Sequence, residues 1–148
     1  MQDEILPTMG DIRIVEVGPR DGLQNIAQVV PTEVKVELIE RLAACGLSII
    51  EATSFVSPKW VPQLADAMQV LQHIRPLMRK AAIQFPVLVP NVQGLDLAHR
   101  SNVTEIAVFI SATEGFSKRN INCSIDESLE RVRVIADKAK VLKIRMRG

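Results

Sequence analysis

Three features of the sequence predict an α/β protein built on a parallel sheet. Strands alternate with helices, the strands are nearly continuous apolar runs, and polar residues follow successive strands. A doubly wound sheet and a (β/α)8 barrel both fit this pattern, but the segment after the first strand lacks the G-x-G-x-x-G of a doubly wound dinucleotide binder. We therefore expect the N-terminal half of a (β/α)8 TIM barrel, with about four βα units and the start of a fifth strand.

Hydrophobic spacing and turn residues place each element in turn. Gly18 and Pro19 end the first strand, Gly46 ends the first helix, and Ser124 with Glu127 forms a capping box that opens the last helix. The strands are expected at 12–17, 48–53, 83–89, 105–110 and 142–146, and the helices at 32–44, 63–78, about 95–99 and about 124–140.

The length and composition support one soluble globular unit. The chain has 148 residues, of which 47% are hydrophobic and 24% charged, whereas a whole barrel takes roughly 250 residues. We expect residues 1–10 to be an N-terminal extension and 11–148 to be the partial barrel domain. A net charge of +1 and an aromatic content of 3% argue against nucleic-acid binding, and no apolar run is long enough to span a membrane.

The two cysteines indicate a reducing compartment. Cys45 and Cys123 form neither a zinc spacing nor a disulfide framework, and we expect Cys45 to pack as a small apolar residue and Cys123 to be structural. The first ten residues carry no signal or basic amphipathic pattern, which favours the cytoplasm. A targeting segment that has been lost would leave no trace, so the mitochondrial matrix stays open.

Polar residues recur where the predicted strands end, and in a parallel barrel these positions meet on one rim. They are Arg20, Asp21, Glu51, Asn91 directly after Pro90, Ser111, Thr113 and Glu114. Glu51 is the most informative of them, because a carboxylate in an otherwise apolar strand is costly to bury unless it is paired. Arg20 is the expected partner, and Asp21 could ligate a hard divalent cation. The alternative is that Glu51 ends its strand and points to water.

The remaining polar candidates predict no chemistry. His73 and His99 share no ligand-like spacing, so both are expected on helix surfaces. Lys118 and Arg119 are expected in a solvated loop, with contact to a phosphate-bearing cofactor as the alternative.

Three segments closely resemble the 3-hydroxy-3-methylglutaryl-CoA (HMG-CoA) lyase family. They are V-G-P-R-D-G-L-Q-N at 17–25, E-A-T-S-F-V-S-P-K-W-V-P-Q at 51–63 and N-I-N-C-S-I at 120–125. The R-D-G-x-Q core is shared with the whole metallolyase superfamily, whereas T-S-F-V-S-P-K-W-V-P is specific to the lyases. The resemblance begins near residue 11 and covers the N-terminal half of the family's barrel, a pyruvate carboxyltransferase-like domain.

The resemblance implies a carbon-carbon lyase that cleaves HMG-CoA to acetyl-CoA and acetoacetate with Mg²⁺ or Mn²⁺, in leucine catabolism and ketone-body formation. Asp21 matches the family's metal-binding aspartate. Arg20 matches the arginine that contacts the acyl-CoA substrate and stabilises the enolate, and Glu51 matches the acidic residue that supports this arginine.

The family's H-x-H metal ligands, its asparagine ligand and its catalytic cysteine loop have no counterpart in this sequence. Cys123 matches the N-C-S segment and not that loop. Two alternatives therefore stand beside an active lyase. One is a truncated, non-catalytic half-barrel that acts only by association through exposed barrel edges, and the other is a related synthase that condenses an acyl-CoA with a 2-oxo acid.

Overall fold

The computed structural model describes residues 12–80 and 82–148, so the expected extension at 1–10 lies outside the described residues. A parallel sheet in chain order carries helices on one side. The strands are β1 (Thr53–Ser54), β2 (Val87–Leu88), β3 (Glu105–Ala107) and β4 (Arg145–Arg147), and the helices are α1 (Thr32–Ala44), α2 (Ala67–His73), α3 (Arg75–Met78), α4 (Val92–Arg100), α5 (Glu114–Ile121) and α6 (Ile125–Val141).

The sheet has the order β1-β2-β3-β4, and every pairing is parallel. The predicted first strand extends this order, since Glu16 forms a parallel bridge with Ile50. Outside that bridge, the described part of 12–17 is not paired as a strand. Sequential parallel strands joined by helices are the arrangement of a (β/α) barrel, so the predicted half-barrel is confirmed.

Alternate residues of the strands face opposite sides. The core between sheet and helices takes one set of residues in the strands and directly beside them, namely Ile50, Ala52, Val87, Val89, Ile106, Val108 and Ile144. The residues between them, among them Glu51 and Arg147, face the side that forms the interior of a barrel. The strands therefore separate an apolar, helix-covered face from an inner face that carries charge.

The predicted helix at 63–78 is wrong, because the segment is divided. A 3₁₀ turn at Pro62–Leu64 precedes α2, and α3 starts after Ile74. Pro76 has no backbone N–H to donate to the preceding turn, so the helical ladder cannot continue through it.

The prediction of a loop at Lys118 and Arg119 is wrong, because both residues lie in helix α5. Thr113 caps its start, with its side chain accepting from the Phe116 amide at 3.4 Å, and Asn122 ends it at a φ of 50°. Gly115 and a run of polar residues hid this helix from the sequence pattern.

The remaining differences are local. The paired segments are shorter than predicted, and β4 begins at Arg145 because Lys143 adopts a φ of 56° after α6. Cys45 is exposed at the end of α1, so its predicted packing is wrong, because helix α1 has already ended there and turns toward Gly46. Cys123 is buried, as a structural cysteine should be. None of the helices in the described residues is long and apolar enough to cross a membrane.

Candidate active site

A tight turn at Gly18–Gly22 presents Arg20 and Asp21 at the end of the first parallel segment. It is a single π-helical turn in which the amides of Arg20, Asp21 and Gly22 all donate to the Val17 carbonyl, at 3.1, 2.7 and 3.3 Å. The Glu16 carboxylate accepts from the Gly18 amide at 2.6 Å, and a Cβ at Gly18 would lie only 2.8 Å from that oxygen. A side chain at Gly18 would displace the Glu16 carboxylate from this hydrogen bond, and turns of this type are frequent at functional sites.

Arg20 and Glu51 form the ion pair that the sequence predicts. Arg20 Nε donates to Glu51 Oε1, and the Glu51 side chain is 1% exposed. The alternative in which Glu51 points to water is thereby excluded. A carboxylate this deeply buried needs an opposite charge or hydrogen-bond donors around it, and Arg20 supplies both.

Asp21 holds the other end of the same guanidinium. Arg20 Nη1 donates to Asp21 Oδ1 at 2.6 Å, and the Asp21 side chain is 57% exposed. Among the described residues, Arg20 Nη2 has no hydrogen-bond partner. The guanidinium is therefore fixed by two carboxylates, and its Nη2 group is not bound by any residue in the described part of the chain.

Arg147 is a fourth member of the cluster, and the sequence analysis did not identify it. Its Nη2 donates to Glu51 Oε2 at 2.5 Å, so the two oxygens of Glu51 bind one arginine each. The missed signal is the alternation Lys143, Arg145, Arg147, which places basic residues in and directly after the predicted strand 142–146, much as Glu51 places an acidic residue in an apolar strand.

Three of the other strand-end residues form hydrogen bonds that serve the fold. Asn91 Oδ1 caps α4 by accepting from the Gly94 amide at 2.8 Å, Thr113 caps α5, and Glu114 Oε1 accepts from the Ile125 amide at 3.1 Å. Ser111 Oγ is buried without a partner among the described residues. The cluster therefore contains Arg20, Asp21 and Glu51 from the predicted set, together with Arg147.

The described residues do not complete a metal site. Nowhere in 12–80 and 82–148 do three His, Cys, Asp or Glu side chains come together in a geometry that could hold a metal ion. Of the carboxylates in the cluster, Glu51 is fully engaged by two arginines, and only Asp21 is open enough to serve as a ligand. His73 and His99 are exposed on α2 and α4, as predicted.

A buried arginine-carboxylate cluster at the ends of parallel strands is the kind of site that (β/α)-barrel enzymes place there. Residues 11–148 match the HMGL-like family model, and the chain belongs to that family. It is 55% identical over 137 residues to the mitochondrial hydroxymethylglutaryl-CoA lyase of Arabidopsis thaliana, covering 93% of this chain and 29% of the relative. It is 52% identical to the cytoplasmic 3-hydroxy-3-methylglutaryl-CoA lyase of Mus musculus, covering 93% of this chain and 39% of the relative.

Solved structures agree with this assignment. The hydroxymethylglutaryl-CoA lyase of Pseudomonas aeruginosa superposes with a TM-score of 0.87 at 47% identity, over 93% of this chain and 45% of that one. An HMG-CoA lyase from Acinetobacter baumannii, solved in complex with coenzyme A and 3-methylmalate, superposes with a TM-score of 0.84 at 34% identity, over 95% of this chain and 45% of that one.

The chain spans less than half the length of these relatives. The curated relatives carry both mitochondrial and cytoplasmic names, so similarity alone assigns no compartment.

Proposed function

We propose that this chain carries the enolate-stabilising part of an HMG-CoA lyase, which cleaves the acyl-CoA substrate to acetyl-CoA and acetoacetate. In this cleavage the 3-hydroxyl loses its proton, the bond between C2 and C3 breaks, and C3 becomes the ketone carbon of acetoacetate. The electron pair passes to C2 and the thioester oxygen, and protonation at C2 gives acetyl-CoA.

The observation that carries the proposal is the fixed orientation of Arg20. Glu51 binds its Nε and Asp21 binds its Nη1, whereas Nη2 stays free among the described residues. A preorganised donor aimed at an oxygen on which charge develops lowers the barrier more than a mobile one, because it needs no reorientation during the reaction. We assign Arg20 to contact with the thioester oxygen and Glu51 to fixing Arg20.

The family is generally metal-dependent, and we propose Mg²⁺ or Mn²⁺, with Asp21 as one ligand. Such a cation would polarise the hydroxyl and carboxylate oxygens of the substrate. A single carboxylate does not hold it, so its other ligands must come from residues outside the described part of the chain or from a second polypeptide.

The test is release of acetoacetate from HMG-CoA by the purified chain with Mn²⁺, compared with the variants Arg20→Gln and Arg41→Gln. Arg41 forms an exposed ion pair with Glu37 on α1 and serves as the matched control. Loss of one donor to a developing oxyanion costs about 10²- to 10³-fold in kcat, so Arg20→Gln should lose most activity and Arg41→Gln none. Equal activity in both variants would overturn the assignment of Arg20.

A second proposal is that the chain acts only in association with another polypeptide. Apolar side chains are exposed near the ends and edges of the sheet, among them Ile14, Phe109, Ile110 and Met146. Exposed apolar surface of this kind favours association. Mn²⁺ titration calorimetry alongside sedimentation distinguishes the two proposals. A monomer that neither binds Mn²⁺ nor cleaves substrate would contradict both, and condensation of acetyl-CoA with a 2-oxo acid would instead indicate a synthase.

A further inference from the structure

Glu51 is held by two arginines that are far apart in the chain. Arg20 follows the first parallel segment, and Arg147 is the last residue of β4, 96 positions after Glu51. Each arginine binds a different carboxylate oxygen. The orientation of Glu51 therefore depends on both, and the orientation of Arg20 depends on Glu51.

The backbone fixes Arg147 in this position. Arg147 pairs with Ala107 in the β3-β4 ladder, and its carbonyl accepts from the Val108 amide at 2.9 Å. Its Nε is buried, and the side chain as a whole is 39% exposed. The guanidinium is therefore directed at Glu51 from a hydrogen-bonded strand and not from a loop.

A buried carboxylate needs hydrogen bonds to both of its oxygens, because an unsatisfied charged oxygen carries a large desolvation cost. Without Arg147, Glu51 Oε2 would lose its only donor among the described residues, and the carboxylate would reorient toward other donors. Arg20 Nε would then lose its fixed acceptor. We infer that Arg147 is a positioning residue, which sets the orientation of the Arg20 guanidinium through Glu51.

This inference rests on the proposed function only for the role of Arg20 in the reaction. The coupling between Arg147 and Arg20 can be measured without substrate turnover. Arg145 is a matched control, because it lies two residues earlier on the same face of β4. It pairs with Glu105 at 3.0 Å, and its side chain is 60% exposed. Both arginines are thus strand residues in ion pairs, but only Arg147 contacts Glu51.

The experiment compares Arg147→Gln, Arg147→Lys and Arg145→Gln in the purified 148-residue chain. The readout is the rate at which the Arg20 Nε–H proton exchanges with solvent, measured by NMR. Loss of the fixed acceptor should speed this exchange about tenfold in Arg147→Gln and change it less than about twofold in Arg145→Gln. Arg147→Lys should give an intermediate rate, because a lysine keeps the charge but not the planar fork.

An unchanged exchange rate in a folded Arg147→Gln variant would overturn the inference. If that variant does not fold, Arg147→Lys is the deciding variant. An Arg20 Nε–H exchange rate equal to that of the wild type in Arg147→Lys would also overturn the inference. Where the chain turns over HMG-CoA, Arg147→Gln should lower kcat about tenfold with KM nearly unchanged, since Arg20 acts on the charge of the transition state. A chain without lyase activity but with coupled exchange would contradict the proposed function and leave the positioning role intact.

Discussion

Two clusters of this protein each contain a buried ion pair, but they differ in how many of their polar groups are bound by the rest of the protein. In the Arg20 cluster, formed by Arg20, Asp21, Glu51 and Arg147, no described residue binds the Nη2 group of Arg20, and the Asp21 carboxylate is largely exposed. The second cluster lies between α1 and the start of α2. There, the 3% exposed Lys35 donates to Asp66 at 2.7 Å and to the Gln63 carbonyl, and Thr32 donates to the other Asp66 oxygen at 2.7 Å.

In the Lys35 cluster, the polar groups form hydrogen bonds with other groups of the protein. The Gln63 side chain accepts from the Val30 amide at 2.8 Å and donates to the carbonyls of Gln28 and Ile26 at 3.0 and 3.4 Å. This ties the segment after the Gly18–Gly22 turn to the start of α2. Both clusters contain a buried ion pair, and the Arg20 cluster differs in having guanidinium and carboxylate groups that no described residue binds.

The largest expected effect on stability comes from removing Lys35. Lys35→Met leaves Asp66 without its cation and the Gln63 carbonyl without its donor, which should lower the free energy of unfolding by about 3–5 kcal/mol. Urea denaturation followed by circular dichroism measures it. Arg41→Gln, which breaks an exposed pair on the same helix, should cost less than about 0.5 kcal/mol. Similar losses for the two variants would show that the Lys35 cluster is not a structural anchor.

The sequence predicted the Arg20 cluster better than the Lys35 cluster, for a physical reason. Glu51 stands out because it interrupts an apolar strand, and Arg20 follows a strand that ends at Gly18. Lys35 has no such signal, since a lysine in an amphipathic helix is ordinarily solvated, and its burial depends on where α2 packs. The basic residues at alternate positions near the last strand could have pointed to Arg147, but its pairing with Glu51, 96 residues away, depends on how the strands assemble into the sheet.

The fold was predictable to a similar degree. Helix α1 has the predicted bounds and the Ser124 capping box is present, because both depend on local spacing. The division of the 63–78 helix and the presence of α5 were missed. Periodic apolar residues continue through Pro76, and the Thr113 cap precedes a mainly polar segment.

A smaller effect is expected from Gln63. Gln63→Leu keeps the size of the side chain but removes the hydrogen bonds to Val30, Gln28 and Ile26, which should cost about 1–3 kcal/mol. Hydrogen exchange of the Val30 amide should accelerate as the segment loosens. Gln72→Leu, on the exposed side of α2, is the control and should leave this amide unchanged. A Val30 amide that exchanges at the same rate in both variants would contradict the role of Gln63 as a tether.

The Ser124 cap should contribute about 1 kcal/mol, outside both clusters. Ser124 Oγ accepts from the Glu127 amide at 3.1 Å, and Ser124→Ala removes this bond. The backbone amide of Ser124, and then its hydroxyl, lower the pKa of Glu127. The pKa of Glu127 is lower in the folded chain than in the unfolded chain. This difference stabilises the fold at pH values above the unfolded-state pKa, and the stabilisation is lost as the pH falls through the folded-state pKa.

The stability lost through Ser124→Ala should therefore be larger at pH 7 than in acid, where Glu127 is protonated in both the folded and the unfolded chain. Thermal unfolding of wild type and variant at the two pH values measures the difference. A loss that is the same at both values would show that the hydroxyl does not act on the carboxylate.

The smallest stability effect is expected at Asp21, although it lies in the candidate active site. Its pair with Arg20 is largely exposed on the aspartate side, and such pairs contribute about 0–1 kcal/mol. Asp21→Asn should therefore change the free energy of unfolding by less than about 0.5 kcal/mol, because Glu51 still binds Arg20. Asp66→Asn makes the same chemical change in the Lys35 cluster, where it leaves the charge of the buried Lys35 poorly neutralised. It should lower the free energy of unfolding several times more than Asp21→Asn does.

Urea denaturation of the two variants without added metal gives this comparison directly. Equal losses would mean that the Arg20 cluster supports the fold as the Lys35 cluster does, and that its exposed carboxylate is not reserved for a ligand. A stable Asp21→Asn variant whose Mn²⁺ affinity falls, in an assembly where the wild type binds Mn²⁺, would assign the exposed oxygens of Asp21 to the metal, because an amide oxygen is a neutral and weaker ligand for a hard cation.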